Sequence, residues 1–179
     1  MSINRKKQTR FLCHAAIIAS LYIAFTYVTA AMGLASGAIQ LRLSEALCIL
    51  VAFTPAAIPG LTLGCLISNL ITGCLPTDVL FGSLATLLGA IGGHYLKKYP
   101  RLIPLPTVLA NTLIVPFVLA FAYRVEEGLP FLFLSVGIGE ILSAYLLGVL
   151  LYYPLKKKQA QIFGTPRTPI NLENTENME

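Results

Sequence analysis

Four ionisable side chains interrupt the apolar stretches of this chain: Arg42, Glu45, Asp78 and Glu140. Within an apolar crossing such a group costs about 2.5–3.5 kcal/mol on insertion scales, which makes each one a candidate functional residue. Asn69 and Asn111 are the notable neutral polar groups in the same stretches. A set of acids, amides and one guanidinium suits recognition of a small polar ligand by hydrogen bonding. Glu140, in Ser135-Val136-Gly137-Ile138-Gly139-Glu140, is the sharpest candidate. Asn111 lies about as far as Glu140 from the centre of the hairpin formed by the last two apolar stretches, near Glu126, so the two share a depth. Either they converge on one ligand cavity, or they form an interhelical hydrogen bond that holds the helices together. Arg42 and Glu45 are three apart and share a helix face. Either they pair at the outer interface, or Glu45 faces the mouth of the cavity and Arg42 orients it. Asn69 and Asp78 flank an outer turn, and Asp78 also reads as an acid capping its own helix.

Other chemistries lack their residues. The sequence contains no GxxxxGK[ST] phosphate loop, no HExxH and no GxSxG, so it shows no means of hydrolysing ATP and no recognisable hydrolytic site. Cys13, Cys48, Cys65 and Cys74 form no CxxC pair and lie in or beside apolar stretches, which reads as buried free thiols and no metal site. His14 and His94 sit at the ends of apolar stretches and read as interfacial. The chain is not expected to be an enzyme or to hold a cofactor.

The elements that position these residues follow from composition. The chain has 179 residues, 56% hydrophobic and 12% charged, with a mean hydropathy of +0.75. A soluble domain carries about 25% charged residues, so lipid is the natural solvent here. At about 20 apolar residues per crossing the length allows roughly five to seven spans. The net charge of +5 does not indicate nucleic acid, because the basic residues are clustered by topology. All but Arg42 and Arg124 fall before the first apolar run (Arg5, Lys6, Lys7, Arg10), at Lys97, Lys98 and Arg101, or after the last (Lys156, Lys157, Lys158, Arg167). That is the bias that holds basic loops in the cytoplasm beside anionic lipid.

The fold class expected is an all-α integral membrane protein, a six-transmembrane-helix bundle with both termini cytoplasmic. A basic N-terminus covers 1–10, the six-helix membrane domain 11–157, and a polar, disordered cytoplasmic tail 158–179. The first span runs from Phe11 to Gly33 and exceeds a signal peptide's apolar core; a short outer turn, Leu34–Ala38, follows. Apolar stretches at Leu41–Phe53 and Leu61–Leu75 are separated by Thr54-Pro55-Ala56-Ala57-Ile58-Pro59-Gly60, which breaks the helix. Each makes only about 20 Å of helix. They are either two short crossings or a re-entrant hairpin; two crossings keep the later basic clusters on one side. Asp78–Leu96, Leu102–Tyr123 and Leu129–Tyr153 complete six. Small residues recur at four-residue spacing in the first span (Ala15/Ala19 and Ala16/Ser20/Ala24) and the fourth (Ala85, Gly89, Gly93). Such faces let helices approach closely, within this chain or against a separate membrane subunit.

From Ile39-Gln40-Leu41-Arg42-Leu43-Ser44-Glu45-Ala46-Leu47 through Pro55-Ala56-Ala57-Ile58-Pro59-Gly60-Leu61, Gly64-Cys65-Leu66-Ile67-Ser68-Asn69, Asp78-Val79-Leu80-Phe81-Gly82-Ser83-Leu84-Ala85-Thr86, Asn111 and Val136-Gly137-Ile138-Gly139-Glu140, the sequence resembles the QueT family. The resemblance covers roughly residues 10–157. It implies the substrate-binding (S) component of an energy-coupling factor (ECF) transporter in a bacterial plasma membrane, importing a queuosine precursor such as preQ1, preQ0 or queuine. It further implies a transmembrane scaffold (T) subunit and two ATPase subunits as partners, with ATP used by those ATPases. The scaffold would contact the small-residue face of the first helix, around Ala15, Ala16, Ala19, Ser20 and Ala24. Substrate contacts would come from Glu140, Asn111, Glu45, Asn69, Asp78 and Arg42. Two readings remain beside it: an S component for biotin, thiamin or riboflavin, and a self-contained small oligomeric channel or transporter.

Overall fold

Proline and glycine decide where the helices of this chain begin and end. The computed structural model describes residues 2–34 and 41–164, with side chains from Arg5 onward. These residues are helical, without strands. We label the elements α1 (Ser2–Ala31), α2 (Leu43–Ala52), α3 (Ala57–Ile71), α4 (Pro76–Tyr95), α5 (Leu105–Phe121), α6 (Leu129–Lys157) and α7 (Gln159–Phe163). α4 starts on Pro76, and α5 and α6 carry Pro106 and Pro130 in their first turns, where the missing N–H costs nothing. α1 and α3 end on Gly33 (φ 69°) and Gly73 (φ 76°). In each case the next residue's N–H reaches back to close the helix, Leu34 to Thr29 and Cys74 to Asn69, the glycine C-cap that only a residue tolerant of positive φ makes easily.

Successive elements alternate in direction. Leu43 N–H at the start of α2 donates to Thr29 Oγ1 near the end of α1, while Phe53 beyond α2 stacks on Tyr152 and Phe163. α2 therefore runs the depth of the bundle back from the end of α1. α3 returns beside α1, with Gly60 against Ala15 and Gly64 against Ala19 and Tyr22. α4 and α5 form an antiparallel pair in which Gly89 faces Thr107 and Gly93 faces Ile103. Phe163 meets His14 edge-on, so both described chain ends lie at one end of the bundle, hereafter the terminal end.

Several expectations change in detail. The Leu41–Phe53 stretch forms a ten-residue 3₁₀ helix rather than an α-helix, longer than such helices usually run. At about 2.0 Å per residue it reaches roughly 20 Å with few residues, and Ser44–Val51 are buried throughout. The Thr54–Gly60 break is shorter than expected: α3 begins at Ala57, because Pro59 and Gly60 fit its first turn, whose N–H groups have no helical partner. α6 contains a π-helical segment, Ile141–Leu147, which packs on α2. There the Cys48 thiol donates to the Ala144 carbonyl at 3.8 Å. Within the expected tail, Gln159–Phe163 form α7, held by Phe163 stacking on Phe53. Residues 165–179 of that tail, and residues 35–38 of the expected outer turn, lie outside the described residues.

Polarity is distributed inside out. Leu12, Ile17, Leu70, Leu80, Leu109, Leu134 and Leu150 are exposed, while Glu45, Asn69, Asp78, Asn111 and Glu140 are buried. A surface that presents its large aliphatic side chains is matched to lipid rather than water. Two helices, Arg5–Ala31 and Leu129–Lys157, are long and apolar enough to cross a membrane. The apolar core, including Ile18, Leu47, Ile49, Val51, Leu61 and Ile103, fills the terminal half and leaves the other half to polar groups.

Candidate functional site

The 3₁₀ geometry of α2 decides where its acid points. Residues three apart eclipse in such a helix, so Glu45 and Cys48 stack along one face, with the extended Arg42 leading into the helix. Glu45, 2% exposed, accepts a short hydrogen bond from the Tyr22 hydroxyl of α1. The Asn111 side chain of α5 lies in hydrogen-bonding reach of both Glu45 and Glu140. Glu140 stands where α6 passes from α-helix into the π segment, an irregularity frequent at functional sites. Its Oε2 is buried without a hydrogen-bond partner.

Arg42 joins this group to a second one. Its guanidinium is within electrostatic range of Asp78, Tyr22, Cys65 and Glu45, and of Glu140. Asp78 lies in the first turn of α4, where a helix N-terminus favours negative charge. Its Oδ2 accepts from the Tyr123 hydroxyl at 3.1 Å, and that hydroxyl accepts from the Leu75 N–H at 3.2 Å. Asp78 Oδ1, like Glu140 Oε2, is buried and unpartnered. Asn69 Nδ2 approaches Cys65 Sγ at 3.7 Å. Both Asn69 and Asp78 border Gly82, where an added Cβ would stand 3.2 Å from Asn69 Nδ2 and 3.4 Å from Asp78 Oδ1.

The six residues singled out in the sequence thus gather in one cluster, buried except for the half-buried Arg42, drawn from α2, its approach segment, α3, α4, α5 and α6. Arg42 and Glu45 are not simply an interfacial pair, since Glu45 is tied to Tyr22 and Asn111 as well. Asp78 does more than occupy its own first turn, because it binds a residue beyond the end of α5. Sequence reasoning missed Tyr22, Tyr123 and Cys65. A tyrosine in an apolar stretch reads as core or interface, so only the carboxyl group facing each hydroxyl reveals its role. The thiols are free; Cys48 and Cys65 are buried, whereas Cys13 is exposed on α1. Among the described residues no group of three or more His, Cys, Asp or Glu side chains is placed to hold a metal. An apolar groove of about 440 Å³ between α4 and α5, lined by Phe81, Leu84, Leu113, Phe117 and Phe121 among others, is separate from the cluster.

The small residues of α1 divide into two faces. Ala15 and Ala19 are buried within the chain, where a Cβ on Gly60 would come within 2.8 Å of the Ala15 carbonyl oxygen and one on Gly64 within 3.1 Å of Ala19 Cα. They are occupied by α3 and do not face outward, which removes them from the expected partner surface. Ala16, Ser20 and Ala24 are exposed, and the Ser20 hydroxyl is satisfied by the Ala16 carbonyl at 2.9 Å.

The residues forming this cluster fall inside a recognised family: the QueT transporter family matches residues 12–157. The chain belongs to the QueT transporter family. A curated relative, the queuosine precursor transporter QueT of Lactococcus lactis subsp. cremoris (strain MG1363), is 34% identical over 84 residues, 47% of this chain and 49% of the relative. The match therefore spans about half the length of that protein. No solved structure matches the chain significantly. The buried acid–amide cluster lies within the stretch that carries the family match and is the chain's candidate functional site.

Proposed function

We propose that this protein is the substrate-binding S component of an ECF-type, ATP-driven importer, and that it captures a queuosine precursor of the 7-deazaguanine class from outside the cell. The observation that carries this reading is the convergence of Glu45, Asn111 and Glu140 inside a bundle whose exterior is apolar. A 7-deazaguanine presents a ring N–H beside an exocyclic amine, and one carboxylate can accept both as a charge-assisted pair. The unpartnered Oε2 of Glu140 suits that role, and the amide of Asn111 or Asn69 can donate to the ring carbonyl.

In this reading α1 to α6 each cross the plasma membrane. The terminal end, with its basic clusters, is cytoplasmic by the positive-inside bias. With no phosphate loop in the chain, energy comes from two ATPase subunits through a scaffold subunit. The exposed Ala16, Ser20 and Ala24 stripe is the docking face, since small residues permit close helix approach. The test is queuosine content of tRNA in a bacterial host that cannot make the precursor. Expression with the scaffold and ATPases is expected to restore queuosine from added precursor, and Ser20→Leu to lower both restoration and co-purification of those subunits. Restoration without any ATPase subunit would favour a self-contained transporter and overturn the proposal.

A further inference from the structure

The helix end that carries Tyr123 is built unlike those of α1 and α3. They close on glycines with positive φ, whereas beyond α5 a positive φ of 52° falls on Arg124, alone among the described residues other than glycine. The Tyr123 N–H reaches five residues back to the Val118 carbonyl at 3.3 Å, and the Val125 N–H six back to Leu119 at 3.2 Å. A side chain resists that backbone region, and such an outlier persists only where the surrounding structure holds it. Here the adjoining Tyr123 side chain is anchored at the start of α4.

The Tyr123 hydroxyl has both of its roles filled. It accepts from the Leu75 N–H at 3.2 Å and donates to Asp78 Oδ2 at 3.1 Å. Leu75 is the residue before α4, and Asp78 lies in that helix's first turn. One phenol therefore joins the α5–α6 loop, the α3–α4 turn and an acid of the cluster. Asp78 Oδ1 is buried and accepts nothing within the protein. Arg42 lies within electrostatic range and attracts the carboxylate as a whole. The hydroxyl, a directional donor, selects which oxygen is held and leaves Oδ1 beside Gly82.

The two tyrosines of the cluster differ in setting. Tyr22, 2% exposed, holds Glu45 from within the core, whereas Tyr123 is 38% exposed and holds an acid that is 4% exposed. Tyr123 thus stands where the cluster meets the surface, at the end of the bundle opposite the termini. Loss of its hydroxyl disturbs no core packing.

We propose that Tyr123 is a positioning residue for ligand capture: its hydroxyl links the Leu75 N–H to Asp78, sets that carboxylate in place before a ligand arrives, and ties the α5–α6 loop to the start of α4. Such preorganisation removes from binding the entropic cost of ordering the acid and the two loops. The proposal rests on the reading of the cluster as a 7-deazaguanine site, and Tyr123 acts there through Asp78 rather than on the ligand.

The test uses Tyr123→Phe, which keeps the ring and removes the hydroxyl. In calorimetric titration with 7-aminomethyl-7-deazaguanine the variant is expected to bind about fivefold to twentyfold more weakly than the wild type. On an Asp78→Ala background the same change is expected to shift affinity by less than about twofold, because the acid it positions is gone. In the ligand-free protein, hydrogen exchange at the Leu75 amide is expected to quicken in Tyr123→Phe and in Asp78→Ala, with protection elsewhere retained as evidence of folding. Wild-type affinity in Tyr123→Phe would overturn the positioning role, as would an equal loss with and without Asp78→Ala. Unchanged exchange at Leu75 in Tyr123→Phe would overturn the tie itself. Failure of the wild type to bind any 7-deazaguanine would sink the substrate reading, while the exchange results would still decide whether Tyr123 holds Leu75 and Asp78 together.

Discussion

Glu140 and Asp78 share a property that decides how ligand recognition is read: each has one buried oxygen for which the protein provides no donor. Such an atom costs about 1–3 kcal/mol when left unpaired, and a fold retains it only where something else supplies the partner. Glu140→Gln keeps the shape but loses the charge and one acceptor. It is expected to weaken 7-deazaguanine binding by about tenfold to a hundredfold, measured by calorimetry, with little change in melting temperature in detergent. Unchanged affinity would remove Glu140 from the site. Glu45 has a different support, because Tyr22 donates to it from α1. Tyr22→Phe leaves that buried oxygen short of a donor and is expected to lower ligand affinity by about fivefold to tenfold; equal affinity would show that Tyr22 only packs. The acids and amides of the site were legible in the sequence because charge inside an apolar stretch is rare. Their partners were not, since tyrosine and cysteine occur in apolar cores for packing alone.

Element by element, the sequence located the helices better than it described them. Six apolar stretches correspond to α1 through α6, and Gly33, Gly73, Pro76, Pro106 and Pro130 mark boundaries that follow from backbone chemistry. The 3₁₀ form of α2 was not legible. From Ala46 to Ala52 its residues are apolar on every face, so periodicity carries no signal to separate a repeat of three from 3.6. The π segment of α6 is hidden for the same reason. Nor could spacing say which small-residue face of α1 turns inward: the Ala15/Ala19 row adjoins the Ala16/Ser20/Ala24 row, and only the glycines of α3 choose between them. Close packing gives an element-scale prediction. A Cβ at Gly89 would stand 2.6 Å from Thr107 Cα, whereas one at Gly137 comes no closer than 3.4 Å to the Thr112 side chain. Gly89→Ala is expected to cost about 1–3 kcal/mol through overpacking of α4 on α5 and to lower the melting temperature clearly. Gly137→Ala is expected to be nearly neutral. Equal melting temperatures for the two variants would show that α4 and α5 are not in such close contact.

For the whole molecule, the distribution of polarity and charge makes a joint statement about orientation. The loop at Lys97–Arg101 belongs to the terminal end, since His94 Nδ1 hydrogen-bonds the Val51 carbonyl at 2.9 Å beside the Phe53–Tyr152–Phe163 stack. The loop around Glu126 lies at the other end. In a cysteine-free background, a single cysteine at Lys98 is expected to resist a membrane-impermeant maleimide in intact cells, while one at Glu126 reacts. Labelling of both from outside would refute six crossings with cytoplasmic termini. The overall class was legible because a 56% hydrophobic chain with 12% charge has too few polar residues to face water. The central claim, however, concerns the cluster those helices enclose. Its most direct test is calorimetric titration of the purified wild-type protein with 7-deazaguanines beside biotin, thiamin and riboflavin. The account predicts tight, saturable binding of a 7-deazaguanine and none of the three vitamins; binding of a vitamin in place of the deazaguanine would contradict it.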